Sequence, residues 1–360
     1  MTVTVVDETG IDRAALQRLV SRATRPIALP RPAHVRFVRG GTRPAPSPAA
    51  LTAWIGSPGR YRAPGDVVLP DERALTPALA EDGVISPALD AALGRLGRAL
   101  AGARVGVALS GGGAWCYAHV AFLRALDRAG VPVDILAGSS LGAAIGALYS
   151  QQGSDGLDAL LSAWRRVQLA AAASVVSSHA LELAARHLLG DVDLTELGTA
   201  GPLAIAVCTD LDTGDSLPLR HGPAATAVRA SCSFPGVYGA ASWEGRPVAD
   251  GALSENVPVR TLRAEGVSLV AASIAFPAPD ASPSRFRRVA DASRAALLFG
   301  HRVSARLAEE ADVVFAPALS PFRLTDWHCA HAIVDRAAPQ ADAPAHRFAA
   351  LLPQRPGASP

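Results

Sequence analysis

The stretch that decides the fold runs from Arg104 to Gln152 and reads RVGVALSGGGAWCYAHVAFLRALDRAGVPVDILAGSSLGAAIGALYSQQ. It contains two short apolar runs, Val105–Leu109 and Val133–Ala137, each with the length of a buried strand. Each run leads into a turn of small residues and then into helix-forming residues. Strand, turn and helix repeated with so few linking residues indicate parallel strands joined by right-handed crossovers. The sequence therefore predicts an α/β protein with a central, mostly parallel sheet flanked by helices.

The same alternation continues toward the carboxyl end. Further strands are predicted at 203–209, 247–250, 268–275 and 312–316, and helices at 114–129, 155–170, 179–189, 223–231, 286–310 and 322–336. Residues 1–100 differ, because their short apolar runs alternate with stretches rich in Pro and Gly. They are predicted to form an appendage, either a small α/β unit or a partly ordered segment, that ends in a helix at about Pro87–Ala101. The main domain is predicted over 101–350, followed by a flexible tail at 351–360.

Two stretches without charged side chains, Val105–Phe122 and Ile135–Ser154, have about the length of a membrane span. Glycine clusters in the middle of both favour strand, turn and helix over a transmembrane helix. The amino-terminal sequence MTVTVVDETG has no basic stretch and reaches Asp7 and Glu8 before any long apolar run, so it is not predicted to be a signal peptide.

Composition excludes several kinds of chemistry. A net charge of +2 gives no reason to expect nucleic acid as a partner, since binding it needs a concentrated basic face. All 34 positive residues are arginine, and without lysine the chain cannot form a standard P-loop, pyridoxal Schiff base or protein-kinase site. The four cysteines lie far apart without a CxxC pair, which favours reduced thiols in a cytoplasmic protein over a zinc cluster or a disulfide framework.

The candidate nucleophile is Ser140, in the elbow Gly138-Ser139-Ser140-Leu141-Gly142. This pattern fits GxSxG, in which the two outer glycines allow a strained strand-to-helix turn that exposes the serine hydroxyl. The serine would lie at a helix amino terminus, where the macrodipole stabilises a developing negative charge. A serine N-cap in a glycine-rich turn explains the same pattern without catalysis, and the elbow alone leaves both interpretations open.

A glycine triplet, Gly111-Gly112-Gly113, separates the first strand of this stretch from its helix. Successive N–H groups without Cβ atoms can form a nest for a phosphate or for the oxyanion of acyl transfer. The dinucleotide pattern GxGxxG requires a third glycine where Cys116 stands, which favours an oxyanion hole. A tight turn that only permits close packing is the structural alternative. His119, one turn into the following helix, is predicted to be packed rather than catalytic.

The candidate general base is Asp250, which ends a short apolar strand and is followed by Gly251 and Ala252. Its carboxylate is expected at the carboxyl edge of the sheet, beside the elbow. An ordinary Asp-Gly turn is the alternative.

Histidine offers a rival general base. The chain order Ser140, Asp250 and then His301, His328 or His331 allows a conventional triad in principle. All three histidines, however, lie in or near predicted helices rather than in loops at strand ends.

Taken together, these motifs strongly resemble the patatin-like phospholipase family, particularly its bacterial and neuropathy-target-esterase-type branch. The resemblance covers about residues 103–340. It rests on the glycine run followed by AHV, the AGSSLG elbow, Arg229-Ala230-Ser231 with Phe234-Pro235-Gly236, and DGALSENVPV from Asp250.

The resemblance implies a three-layer α/β sandwich and a dyad in which Ser140 is the nucleophile and Asp250 the general base. It also implies an oxyanion hole built from the backbone of Gly111–Gly113, a lipid or other acyl ester as substrate, and neither a metal nor a cofactor. An acyltransferase or thioesterase with the same dyad, and a catalytically weak lipid-binding scaffold, are the alternative functions.

The sequence departs from the family directly after the glycines. The family has GGGxRG, whereas Trp115 and Cys116 stand here in place of the Arg and the last Gly. The change removes a cation near the mouth of the site and adds a side chain where the backbone approaches closely.

Contact with lipid could involve two other segments. Residues 155–190 could form an interfacial cap, although a core helix pair is favoured. Arg285, Arg287 and Arg288 could attract anionic lipid, although a solvated charge run is more common. Peripheral contact with the inner face of a membrane therefore stays open.

Overall fold

The structure is a computed structural model that describes residues 3–9, 11–24, 33–39, 51–58, 60, 62–71, 73, 75, 85–175, 179–239, 241–276 and 287–353. The strands are β1 (Val3–Glu8), β2 (Ala33–Arg39), β3 (Leu51–Ile55), β4 (Val67–Leu69), β5 (Arg104–Leu109), β6 (Ile135–Ser139), β7 (Leu203–Asp210), β8 (Ser216–Leu219), β9 (Ala241–Trp243), β10 (Arg246–Asp250), β11 (Val267–Ser273) and β12 (Val313–Phe315). The helices are α1 (Arg13–Thr24), α2 (Pro87–Leu100), α3 (Ala118–Arg128), α4 (Leu141–Gln152), α5 (Ser154–Ser162), α6 (Trp164–Ala173), α7 (His179–Leu189), α8 (Leu194–Ala200), α9 (Ala224–Ser231), α10 (Val259–Ala264), α11 (Arg287–Ala308) and α12 (Ala330–Ala350). Short 3₁₀ turns lie at Gly113–Tyr117, Gly251–Leu253 and Trp327–Cys329.

The central sheet has the strand order β12-β11-β5-β6-β7-β10-β9. Strand β8 also pairs with β7, on the edge opposite to β6 and β10. Its core strands β12, β11, β5, β6 and β7 are parallel, whereas β8, β9 and β10 run antiparallel to their neighbours. Every residue of β5 and β6 is buried, as expected for strands covered on both faces. The prediction of a mostly parallel sheet between layers of helices is confirmed.

The apolar side chains of β5 and β6 divide between two cores. Val107 and Leu136 belong to the core under α3, α4, α9 and α12, whereas Ala108 and Ala137 face the core under α10. This alternation places a helix layer on each face of the sheet, which gives the three-layer arrangement.

The ends of β6 and β10 meet, because both strands pair with the same edge of β7. In β6, Ser139 pairs with Val207, and in β10, Asp250 pairs with Cys208, the next residue of β7. The opposite edge of β7 is taken by β8, since Cys208 also pairs with Leu217. The antiparallel strand β10 therefore ends where the parallel strand β6 ends, and this junction positions the candidate site.

Before the main sheet, β1, β2, β3 and β4 form a second, parallel sheet in that order. Helices α1 and α2 pack on it around a core that contains Leu16, Phe37 and Leu93. The helix predicted at about Pro87–Ala101 is confirmed as α2, and the Ser86 hydroxyl caps it by accepting the Leu89 N–H at 3.2 Å.

The helix predicted at 322–336 exists, but its predicted bounds were wrong. Residues 319–326, which we call the strap, are not helical, and α12 begins at Ala330 and continues to Ala350 past Pro339 and Pro344. Each proline removes one helical hydrogen bond. The helix persists because one side of it is buried against the core, with residues at three- and four-residue spacing. These are Ala330, Ile333, Val334, Ala337, Ala341, Ala345 and Phe348.

Both uncharged stretches fold as strand, turn and helix, as predicted: Val105–Phe122 lies in β5, a 3₁₀ turn and α3, and Ile135–Ser154 begins with β6 and α4. In the described ranges no helix combines the length and apolar character that crossing a membrane requires. Arg285 and residues 354–360 of the predicted tail lie outside the described residues.

Candidate active site

The elbow between β6 and α4 holds Ser140 in a strained backbone conformation, with φ 56° and ψ −132°. Residues other than glycine rarely adopt a positive φ, and they do so mostly where the surrounding structure enforces it. The two outer glycines provide the necessary space. A Cβ on Gly138 would lie 2.4 Å from the Gly142 carbonyl, and a Cβ on Gly142 would lie 2.6 Å from the Leu109 oxygen. The turn can therefore form only with glycine at both positions.

The two serines of the elbow have different surroundings. Ser139 is fully buried, and its hydroxyl donates to the Glu255 carbonyl at 2.7 Å, which ties β6 to the loop after β10. Ser140 is only partly buried and lies at the amino terminus of α4. Its N–H donates to the Ser231 hydroxyl at 2.9 Å, which in turn donates to the Val207 carbonyl at 2.6 Å. Of the two, only Ser140 is partly exposed.

Asp250 lies beside Ser140 at the end of β10 and is 1% exposed. Burial raises its pKa to about 7, while hydrogen bonds from the Ala252 N–H and from the Ser140 side chain oppose the rise. The Ala252 N–H reaches Oδ1 at 2.8 Å. A Cβ on Gly251 would lie 2.2 Å from the Val207 oxygen, so the Asp-Gly-Ala turn needs this glycine to approach β7. The carboxyl group thus faces the elbow with a pKa close to neutrality.

The glycine loop after β5 packs directly against the elbow. A Cβ on Gly111 would lie 3.1 Å from the Ser140 Cβ. The Gly111 N–H is already used, because it donates to the Asn256 side-chain oxygen at 2.9 Å. Gly112 and Gly113 have φ values of 154° and 55°, and no acceptor for their N–H groups occurs among the described residues. Two of the three predicted donors are therefore available to a ligand.

Sequence reasoning missed Asn256 altogether. Its side-chain oxygen holds the Gly111 N–H, and its amide nitrogen donates to the Ser304 hydroxyl at 2.7 Å. Asn256 lies in the DGALSENVPV stretch, but nothing in that stretch indicates that its side chain is buried against Gly111.

His119 is buried beneath the glycine loop. Its Nε2 donates to the Ser110 carbonyl at 2.8 Å, so that Nδ1 accepts from the Ser273 hydroxyl at 2.7 Å. Burial lowers the pKa of this histidine to about 4, which keeps it neutral at physiological pH. The prediction that His119 is packed in the core is confirmed.

The histidines of the rival triad lie elsewhere. His301 is on α11, where its Nδ1 contacts the Phe276 carbonyl at 3.2 Å, His328 is in a 3₁₀ turn, and His331 is in the first turn of α12. Among the residues that the structure describes, none of the three hydrogen-bonds Ser140 or Asp250. This arrangement favours the dyad over the triad.

The two departures from the family pattern are both buried. The Trp115 indole N–H donates to the Phe322 carbonyl at 2.8 Å, and its ring meets the Phe276 ring edge-on at 5.3 Å. The neighbouring Ala114 N–H donates to the Leu324 carbonyl at 2.8 Å. Trp115 therefore fixes the strap over the glycine loop. Cys116 is fully buried below the loop, and its thiol donates to the Ser110 carbonyl at 3.4 Å.

Comparison with known proteins shows similarity to patatin-like phospholipases and to NTE proteins. A family model described as patatin-like phospholipase matches residues 107–263. An uncharacterized NTE family protein of Mycobacterium tuberculosis is 32% identical over 194 residues, which are 50% of this chain and 53% of that protein. A lysophospholipase of Saccharomyces cerevisiae, NTE1, is 26% identical over 205 residues, which are 53% of this chain and 12% of the yeast protein. The chain thus matches about half the length of the mycobacterial relative.

Among solved structures, VipD from Legionella pneumophila aligns with a TM-score of 0.39 and 14% identity, over 69% of this chain and 67% of that one. The family match contains the glycine loop, the elbow and Asp250. Residues 107–263 are therefore similar to the patatin-like phospholipase family, and both relatives named above are NTE proteins.

Proposed function

We propose that the protein is a serine hydrolase of lipid acyl esters, of the phospholipase or lysophospholipase type, which works through a Ser140–Asp250 dyad. The observation that carries the proposal is the pairing of a strained, partly exposed Ser140 with a buried Asp250 whose pKa is about 7. A base with a pKa near neutrality is suited to accept a proton from a hydroxyl at physiological pH.

In the first half of the reaction, the Asp250 carboxylate accepts the hydroxyl proton as the Ser140 oxygen attacks the ester carbonyl. The N–H groups of Gly112 and Gly113, with the amino terminus of α4, stabilise the oxyanion that forms. When the tetrahedral intermediate collapses, the ester C–O bond breaks and the alcohol leaves with the proton from Asp250. Ser140 then carries the acyl group.

In the second half, water replaces the alcohol as the nucleophile. Asp250 accepts a proton from the water as its oxygen attacks the acyl carbonyl. The bond to Ser140 then breaks, the serine oxygen takes the proton back, and the fatty acid leaves.

A fluorophosphonate probe tests this proposal, because it phosphonylates an activated serine and leaves a mass that locates it. We expect the wild-type chain to be labelled at Ser140, and labelling to be lost in Ser140→Ala and in Asp250→Asn. The matched control is Ser139→Ala, which removes the neighbouring buried hydroxyl and keeps the dyad. An unlabelled wild-type chain would contradict the proposal, and so would labelling that persists in Ser140→Ala.

Product analysis distinguishes hydrolysis from acyl transfer. With a p-nitrophenyl ester or a lysophospholipid as substrate, we expect free fatty acid as the acyl product. If the acyl group instead appears on an added alcohol or thiol while little free acid forms, the dyad serves a transferase.

A further inference from the structure

Half of the large exposed apolar side chains of the described residues lie near the candidate site. Twelve large apolar residues in the described part of the chain are exposed, and six of them lie on segments next to the dyad or the glycine loop. These six, which we call the apolar rim, are Phe234, Val237, Leu253, Leu298, Phe299 and Leu324, with exposed fractions from 38% to 71%. Single exposed apolar residues are common on proteins, but a cluster at one site marks a surface that binds something apolar.

Two rim segments follow directly from the residues around Asp250. Phe234 and Val237 belong to a turn that begins after Ser233, whose carbonyl accepts the Asp250 N–H at 3.1 Å. Leu253 is the last residue of the 3₁₀ turn that starts after Asp250, and it is 49% exposed. These side chains therefore flank the side of the site that holds the general base.

The other two segments are the strap, which contacts the glycine loop, and α11, which is connected to the loop through Phe276 and Trp115. Leu324 lies on the strap, and its Cγ would be only 2.8 Å from a Cβ on Gly113. Leu298 and Phe299 precede Gly300 on α11, which packs against the Phe276 ring that Trp115 contacts. Phe299 is the most exposed member of the rim, at 71%.

From this arrangement, and resting on the proposed function, we infer that the apolar rim is a docking surface for a phospholipid membrane. The rim consists of six side chains on four separate segments near the proposed site, which suits shallow insertion into a fluid lipid surface. Exposed arginines accompany it: Arg323 precedes Leu324, and Arg302 lies one turn after Phe299. Cations beside exposed aliphatic and aromatic side chains favour a surface that contains anionic lipid.

Docking in this orientation would bring Ser140 to the lipid surface. An acyl ester could then pass from the membrane to the serine without entering water. Exposing a long acyl chain to water has a high free-energy cost. The surface differs from residues 155–190 and from the Arg285–Arg288 run, which the sequence offered as lipid contacts.

Vesicle binding tests the inference, with Ser140→Ala as background so that no lipid is consumed. The vesicles contain phosphatidylcholine and phosphatidylglycerol, and co-sedimentation measures the partition coefficient of the full chain. In the rim variant, Val237→Ser with Phe299→Ser, we expect the partition coefficient to fall by about tenfold for each side chain. This is the effect expected when one apolar side chain is no longer buried in the lipid.

The control is Val6→Ser with Leu351→Ser, which changes two exposed apolar side chains away from the rim, one on β1 and one just after the end of α12. We expect it to bind vesicles as the parent does. In chains that retain Ser140, the rim variant should hydrolyse p-nitrophenyl butyrate at the wild-type rate and vesicle phospholipid more slowly.

Three results would overturn the inference: no vesicle binding by the parent, equal losses in the rim and control variants, or a change of oligomeric state in the rim variant on size-exclusion chromatography. The last would identify a second copy of the chain as the occupant. Failure of the proposed function appears separately, as absence of fluorophosphonate labelling, because vesicle binding by Ser140→Ala needs no chemistry.

Discussion

Burial of a single carboxyl group controls the chemistry that the site can perform. Asp250 has a pKa of about 7 because burial disfavours its charged form. Only the charged form can accept the Ser140 proton, so the active fraction of the enzyme rises with pH until Asp250 is ionised. We expect kcat/KM for a p-nitrophenyl ester to increase about tenfold per pH unit below about pH 7 and to level off above it.

Steady-state rates between about pH 5 and pH 9 measure this profile. A kcat/KM that is constant down to pH 5, in a chain that stays folded, would show that Asp250 is ionised throughout and that burial does not set its pKa.

Asn256 is the residue whose role depends most on the structure. It holds the Gly111 N–H on one side and the Ser304 hydroxyl on the other. Asn256→Ala would leave the Gly111 N–H without its acceptor and let the glycine loop shift. We expect kcat to fall by about tenfold or more, with a much smaller change in KM, because the loop acts on the transition state.

The comparison variant for this prediction is Ser304→Ala, which keeps the contact between Asn256 and Gly111 and removes only the second contact of the amide. It should lower kcat less. If Asn256→Ala raises KM and leaves kcat unchanged, Asn256 does not position the loop for the transition state.

At the scale of elements, Trp115 links the glycine loop to the strap. Trp115→Phe keeps an aromatic ring against Phe276 but leaves the Phe322 carbonyl without its donor. We expect the strap to open more often and trypsin to cut after the exposed Arg323 several-fold faster than in the wild type. Limited proteolysis with mass spectrometry measures this rate.

Trp54→Phe is a matched control, because it also removes one buried indole hydrogen bond, at 2.7 Å to Asp66. This bond lies in the amino-terminal unit, by which we mean β1–β4 with α1 and α2. Equal acceleration at Arg323 in both variants would mean that general destabilisation, rather than release of the strap, exposes the cleavage site.

The sequence predicts those elements whose residues satisfy a local rule. The strands β5, β6 and β7 follow from apolar runs bounded by turns, and α7 agrees with its predicted bounds. The strap and the start of α12 do not follow, because partners far along the chain decide them. The Trp115 side chain and the Ala114 N–H form hydrogen bonds with the strap. Helix α12 continues through two prolines because one of its faces is buried against the core.

The same distinction applies to the candidate site. The elbow and the Asp-Gly-Ala turn have local signatures. At Gly138, Gly142 and Gly251 a Cβ would lie within 2.6 Å of neighbouring backbone atoms, so each position requires glycine. The role of Asn256 has no such signature. It arises because β10 meets β6 on one edge of β7, and no spacing in the sequence encodes that antiparallel pairing.

For the whole molecule, the junction between the amino-terminal unit and the main domain contains buried charge. Glu265, which precedes β11, has a fully buried side chain that bonds Arg62 at 2.9 Å and Arg220 at 2.5 Å. Its pKa is lowered, because the two guanidinium groups outweigh the effect of burial, which would raise it. Arg104 adds a bond to the Glu265 carbonyl at 2.7 Å. One carboxylate thus joins residues of both units.

Removing this carboxylate would leave two guanidinium groups without their partner, one of them fully buried. Breaking a buried pair from one side usually costs about 3–5 kcal/mol, since the remaining charge is neither paired nor solvated. We therefore expect Glu265→Ala to lower the free energy of unfolding by about that amount in denaturant titrations. Glu309→Ala, which breaks an exposed pair with Arg306 on the surface, should cost less than about 1 kcal/mol.

Replacing both members of the fully buried pair, in Arg62→Met with Glu265→Leu, should recover part of the loss, because apolar side chains of similar volume carry no desolvation cost. Recovery will be incomplete, since Arg220 keeps its charge and loses its partner. If the double variant is less stable than Glu265→Ala, the ion pair contributes net stability to the junction. In that case the buried ion pair stabilises the contact between the two units.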